Sequence, residues 1–202
     1  MTERILAFDT SGPYCAVALA QSGQITHHAS EDMARGQAER LMGLLQETLD
    51  HENLAWADLD ALAVGVGPGN FTGIRISVSA ARGLALALGI PAIGVSTFQA
   101  FAPPVGPSSM ILPAPRDMVY LQHLDGLDPT SEPKHTRLSE AAQVGDGSTQ
   151  ISLDSMGQTI APRIATVGRA LFKSGRFDMA KPLYVKAPDA APPRDPAPTI
   201  LP

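Results

Sequence analysis

The stretch from Leu59 to Val95 constrains the fold more than any other part of the chain. Leu59 to Val66 is strongly apolar, Gly67-Pro68-Gly69-Asn70 follows directly, and Phe71 to Leu88 then repeats apolar residues at helical spacing. A short apolar run bounded by turn residues reads as a buried strand. Gly89, with Pro91 just beyond it, supplies a helix stop. Ile90 to Val95 reads as the next strand. Strand, turn, helix and strand make a crossover unit, and the parallel strands it joins need helices over their faces. A chain built round this unit is an α/β protein.

The N-terminal residues add an antiparallel start. Ile5-Leu6-Ala7-Phe8, closed by Asp9-Thr10-Ser11-Gly12-Pro13, predicts a buried strand ending in a turn. Cys15 to Leu19 and Gln24 to Ala29 predict two further strands joined at Ser22-Gly23. Between Gln37 and His51, Leu41, Leu44, Leu45 and Leu49 recur on one helical face. Residues 1–98 hold three of the 18 prolines, so the rest of the chain has a different character. The expected units are an N-terminal lobe (1–98), a smaller Pro-rich second lobe (99–186) and an extended tail (187–202). In the second lobe, strands near Met110–Leu112 and Met118–Leu124 and a helix over Ala161–Lys173 are the legible elements.

Charge and cysteine content narrow the function. A net charge of −5 argues against a chain that wraps nucleic acid by itself, because neutralising phosphates needs a basic face. The single cysteine, Cys15, excludes an intrachain disulfide framework and a four-thiolate zinc site. Placed mid-strand, it reads as a small buried apolar residue. No signal-peptide layout opens the sequence, and Arg82, Gly89 and Pro91 interrupt the apolar segment 76–95. A cytoplasmic address is expected, with no membrane span.

Two segments carry candidate chemistry. The glycine-rich turn at Gly67, Pro68 and Gly69 precedes a helix N-terminus, an arrangement able to cradle phosphate. It lacks the Lys-Ser/Thr of a Walker loop and the third glycine of a dinucleotide fingerprint, where Asn70 stands instead. Asn70 suits an N-cap, with Gly73 or Thr72 as donor. Asp9, Thr10 and Ser11, at a strand end, are weak candidates for holding a metal–phosphate; an Asx-turn is the competing reading. The histidines show no helical metal-site spacing, and His27-His28 point to opposite faces of a strand.

The helix after the glycine turn has too little polar surface to be covered by one sheet. Arg75, Ser79 and Arg82 make its polar stripe, while Ile74, Val78, Ala81, Ala85 and Leu88 make an apolar one beside the small residues Gly73, Ser77 and Ala80. Two readings stay open: the Gln37–His51 helix covers it, or both helices present a joint apolar surface to another protein.

The segments Ile5 to Ser11, Gly67 to Arg75 and Gly94-Val95-Ser96-Thr97 resemble the TsaB (YeaZ) family over roughly the first 100 residues. Later matches are limited to Val119-Tyr120 and Pro182 to Lys186. The resemblance implies an actin-like (ASKHA, ribonuclease H-like) two-lobe fold with a reduced second lobe. It further implies a non-catalytic subunit for threonylcarbamoylation of adenosine 37 N6 in tRNAs reading codons that start with A. That subunit pairs with TsaD, joined by TsaE. ATP and metal belong to TsaD, tRNA is met only through the complex, and the isolated chain is able to form a homodimer. Carried onto this sequence, the partner-binding candidates are Leu41, Leu44, Leu45, Gly67, Pro68, Gly69, Phe71, Ile74, Arg75, Val78, Ala81 and Ala85. Asn70 replaces the family's usual serine, Gln37 a frequent histidine and Gly43 a frequent proline. Pro113-Ala114-Pro115-Arg116 stands where relatives carry Asp-Ala-Arg. The alternatives are an independent actin-like ATPase or phosphotransferase using Asp9, and a peptidase, for which no ligand set or nucleophile arrangement is recognisable.

Overall fold

Strands β1 (Arg4–Asp9), β2 (Tyr14–Gln21) and β3 (Gln24–Asp32) form an antiparallel meander. Ser22 and Gly23 both take positive φ, 50° and 88°, the two-residue hairpin geometry that matches strand twist. Strands β4 (Ala61–Gly65) and β5 (Ala92–Val95) extend the sheet in parallel, giving the order β3-β2-β1-β4-β5. The computed structural model describes residues 3–141, 148–153 and 156–185. The expected tail, 187–202, lies outside them.

Helices cover both faces of this sheet. On one face α1 (Gln37–His51) and α2 (Phe71–Leu88) pack over Leu6, Phe8, Val17, Leu19, Leu62 and Val64. On the other, α5 (Met156–Ser174) covers Ile5, Ala7, Ala16, Ala18 and Ala63. The alternation follows the two-residue period of a strand, and double coverage explains why β1, β2 and β4 read as unbroken apolar runs. Arg169 and Lys173 of α5 reach Glu3 at 2.9 and 3.2 Å, pinning the helix to the start of β1.

The second sheet is built on the hairpin β6 (Pro107–Ala114) and β7 (Met118–Asp125), with β8 (Asp128–Pro129) and β9 (Lys134–Arg137) against β7 and β10 (Ser148–Gln150) parallel to β6. Short helices α3 (Thr97–Phe101) and α4 (Leu138–Ala141) connect and flank it. Ser96 and Gln99 form a capping box that starts α3.

One expected division changes. Residue 98 separates the two sheets, but α5, assigned to the second lobe by position in sequence, returns to pack on the first. The physical reason is the apolar back of the β1–β2–β4 surface, which no earlier helix covers. Gly168 lets α5 sit close to β4, since a Cβ there would collide with the Ala63 methyl. We expect Gly168→Val to destabilise the chain by about 1–3 kcal/mol through overpacking. Urea unfolding monitored at the single tryptophan, Trp56, measures it, and an unchanged midpoint would remove the close α5–β4 contact from the account.

Candidate functional site

The glycine turn is a knot rather than a cradle. Gly67 and Pro68 are buried, joined by a cis peptide bond. Their carbonyls accept from the Thr97 N–H (2.8 Å) and the Thr97 hydroxyl (3.4 Å), while the Asn70 N–H donates to the Ser11 carbonyl at 2.7 Å. Asn70 Oδ1 accepts from the Gly73 N–H at 2.9 Å, so the capping role expected of it is the one it performs. The Thr10 hydroxyl donates to the Gly73 carbonyl at 2.7 Å, and a Cβ at Gly73 would run into the Thr10 carbonyl. The first turn of α2 is thus seated on the end of β1.

Asp9 sits behind this turn at 1% exposure. It accepts from the Ser11 N–H at 3.0 Å, the Ser11 hydroxyl at 2.9 Å and the Tyr14 hydroxyl at 2.9 Å. Of the two readings of Asp9-Thr10-Ser11, the Asx-type turn is realised. Burial pushes the Asp9 carboxyl above its ordinary range, with the Ser11 and Tyr14 donors opposing, and burial beside Asp9 pushes the Tyr14 hydroxyl up. Cys15, buried next to this group in the chain, has its thiol raised to about 11, largely by burial, in keeping with a packing role.

A cleft of about 1510 Å³ opens between the lobes. The first lobe contributes Ser11, Tyr14, Arg35 and the turn residues Gly69 to Gly73; the second contributes Leu112 to Arg116, Met118, Tyr120 and His135. Among the described residues the second-lobe wall offers no carboxylate, and Asp9 does not line the cleft. Arg116 and Asp117 form a tight turn at φ 63° and 55°, with Arg116 facing the cleft. Tyr184 stands at its edge, contacting the Phe71 ring at 4.7 Å and accepting from Arg75 Nε at 3.0 Å, while Arg75 lies 4.1 Å over Phe71. The Pro182–Lys186 stretch carried only family likeness in the sequence. Here Leu183 donates to the Val66 carbonyl at 2.8 Å, strapping the turn from outside.

Most of the expected partner-binding residues face inward. Leu41, Leu44, Leu45, Ile74, Val78 and Ala81 are buried in the sheet-facing core, and Gly67 and Pro68 are buried in the knot. Their apolar periodicity marks the face that covers the chain's own sheet. Gly73 and Ser77 serve the same packing, the Ser77 hydroxyl donating to the Gly65 carbonyl at 3.2 Å. Gly69 and Arg75 remain exposed, and Phe71 and Ala85 half-buried.

α1 does not cover the rest of α2, for the two helices barely touch. Of the 18 residues of α2, five are buried, six half-buried and seven exposed, in a helix that by length and composition is apolar enough to cross a bilayer. Its exposed residues are Thr72, Arg75, Ser79, Arg82, Gly83, Leu86 and Ala87, with Ile76 and Ala80 half-buried beside them; Leu86, 87% exposed, is the large apolar one among them. Sequence reasoning passed over this face because alanine and glycine contribute little to an apolar stripe. The available signal was spacing: Ile76, Ala80, Gly83 and Ala87 fall on one side of the helix.

The two sheets, the helices over both faces of the first and the cleft between them define an actin-like two-lobe α/β protein. YeaZ from Pseudomonas aeruginosa superposes with a TM-score of 0.74 at 22% identity, covering 90% of this chain and 99% of that one. The family model described as "TsaD: tRNA N6-adenosine threonylcarbamoyltransferase" matches residues 23–141. Escherichia coli tRNA threonylcarbamoyladenosine biosynthesis protein TsaB is 42% identical over 99 residues, spanning 49% of this chain and 42% of that protein. Its Haemophilus influenzae counterpart is 40% identical over 98 residues, 48% of this chain and 41% of that one. This chain belongs to the TsaB (YeaZ) family. The matched stretch spans less than half the length of these two relatives.

Charge burial at Asp9 gives a pH signature. The folded carboxyl binds its proton more tightly than the unfolded one, so its contribution favours folding below about pH 3.9 and is lost as pH rises through the raised folded value. Asp9→Asn should therefore gain stability relative to the parent as pH goes from about 4 to about 8, whatever the fixed cost of rearranged hydrogen bonds. Urea midpoints across that range measure the slope; a difference independent of pH would contradict it.

Proposed function

We propose that this chain is a non-catalytic subunit that docks onto a TsaD-type partner through the outer face of α2, in the pathway that makes threonylcarbamoyladenosine at position 37 of tRNAs reading codons that start with A. The observation that carries the reading is the outer side of α2, where Leu86 stands 87% exposed beside exposed Gly83 and Ala87 and half-buried Ile76 and Ala80, with Arg75 and Arg82 flanking them. An exposed leucine among small residues, rimmed by two arginines, suits a protein interaction site, where an apolar centre has a polar edge. Gly83 adds to it. A helix-interior glycine costs about 1 kcal/mol relative to alanine, yet nothing in the chain lies within 4 Å of a Cβ built there. Close approach by another backbone supplies the missing reason for it. TsaE joins the pair, tRNA is met through the complex, and the setting is cytoplasmic.

Catalysis rests with the partner, which carries ATP and metal. Asp9 is consumed by three donors behind the knot, and the described second-lobe wall lacks a carboxylate to hold a metal–phosphate. Both features weigh against an independent ATPase or phosphotransferase.

Mixing with the TsaD-type protein of the same source tests the interface. Gly83→Leu and Ala87→Glu should each weaken association at least ten-fold by biolayer interferometry, while leaving the urea midpoint of the isolated chain unchanged or higher. Ser148→Glu, on the second sheet, should leave association intact. Full affinity in both α2 variants would overturn the docking face. In the partner's absence the same face is available to a second copy, and the two variants should shift any homodimer to monomer. Separately, calorimetric titration of the isolated chain with Mg-ATP should show no affinity tighter than a Kd of roughly 100 µM; micromolar binding or turnover would revive the phosphotransferase reading.

A further inference from the structure

His27 and His51 are 24 residues apart in sequence and on different elements, yet their rings lie 4.1 Å apart, centroid to centroid, at an interplanar angle of 33°. The fold brings them together by two local devices. The β2–β3 register shifts at Leu19/Ala20, so that Ile25 pairs with Ala20 and His27 with Leu19, leaving Thr26 as an extra residue. Such a bulge re-aims a side chain. Ala20 belongs to the core under α5 and Leu19 to the core under α1, so the bulge carries His27 from the first face to the second. α1 ends on that face at His51, with Glu52 as its C-cap residue.

Glu52 is held in place as well. Gln21 Nε2 donates to Glu52 Oε2 at 3.0 Å, which leaves Oε1 beside His51 Nδ1 at 3.2 Å. One ligand atom from each of His27, His51 and Glu52 lies within 4.8 Å of the other two. We propose that these three residues form a binding site for a divalent transition-metal ion of the zinc type, clamping the last turn of α1 to the edge strand β3. Imidazole and carboxylate are ligands such ions accept. Metal–ligand bonds of about 2.0–2.2 Å place neighbouring tetrahedral ligands roughly 3.4 Å apart. The three side chains, exposed or half-buried, reach that spacing by closing a little over 1 Å through χ rotation. Water completes the shell.

Titration of the untagged, metal-stripped chain with ZnCl₂ tests the site. Isothermal calorimetry should give one ion per chain, and thermal unfolding should shift upward with Zn²⁺ as ligand linkage requires. His27→Gln and His51→Gln should each lose at least ten-fold in affinity and abolish the thermal shift, and Glu52→Gln should weaken binding less. His135→Gln, on the other lobe, should behave as the parent. Absence of 1:1 uptake, or uptake that His27→Gln and His51→Gln leave unchanged, overturns the proposal.

Discussion

The seating of α2 on the end of β1 is the contact on which both lobes depend. Gly73 allows the Thr10 carbonyl to approach where any side chain would block it, and Asn70 caps the helix while its own N–H holds the Ser11 carbonyl. From there the turn passes hydrogen bonds in three directions: back to Asp9 through Ser11, outward to Leu183 through Val66, and on to Thr97, where α3 leads into the second sheet. The turn is one link between the lobes; the other is a shared core, in which Met110, Leu112 and Leu124 of the second sheet join Ile5 and Ala7 of the first and Ile160 and Ile164 of α5.

Asp9 shows what happens to an acid when its surroundings are completed from within. A carboxylate at a strand tip beside hydroxyls is well placed to hold a hydrated cation, and the sequence leaves that open. In the fold, Ser11 and Tyr14 supply the donors, and Gly65 leaves room for the carboxylate by having no Cβ to meet it. The donors it accepts from, the Ser11 N–H and hydroxyl and the Tyr14 hydroxyl, all belong to the chain, and the carboxylate itself is buried. The charge is then a structural cost offset by three hydrogen bonds rather than an open position for a ligand.

Legibility in the sequence tracked the size of the buried apolar surface. β1, β2, β4, α1 and α2 were readable because each presents a continuous run or a full stripe to the core, and the observed bounds of α1 and α2 match those expected. The short pieces were not. Lys134–Arg137 and Ser148–Gln150 are short, mostly polar strands with no apolar alternation to mark them, and Thr97–Phe101 is defined by a capping box more than by periodicity. The α5 helix was visible but its destination was not, since position in the chain says nothing about which sheet still has an uncovered face. Most residues expected to meet a partner are buried for a related reason: an apolar stripe at helical spacing reports the side turned toward the chain's own core. The outward side of α2 is carried largely by residues too small to register as a stripe, Gly83 and Ala87 among them. The pairing of His27 with His51 depends on a one-residue bulge, and strict alternation along β3 would have hidden it on the opposite face.

Three helical glycines separate what the fold requires from what it leaves unexplained. At Gly73 a side chain would strike backbone, and at Gly168 it would strike the Ala63 methyl, so both glycines are dictated by contacts inside the chain. At Gly83 there is open space. All three carry the same conformational-entropy penalty in a helix. Two of them offset it through packing within this chain. The third lies on the side of α2 that faces neither sheet nor α1, between exposed Ser79 and exposed Ala87. The two sides of this helix thus differ in what fills them. The inner side is shaped by large residues filling a core, Ile74 and Val78 among them, and the outer side by small ones that keep its backbone approachable. Because a side chain added at Gly83 would meet open space, a substitution there leaves the inner packing in place, which is what lets the proposed docking be tested apart from folding.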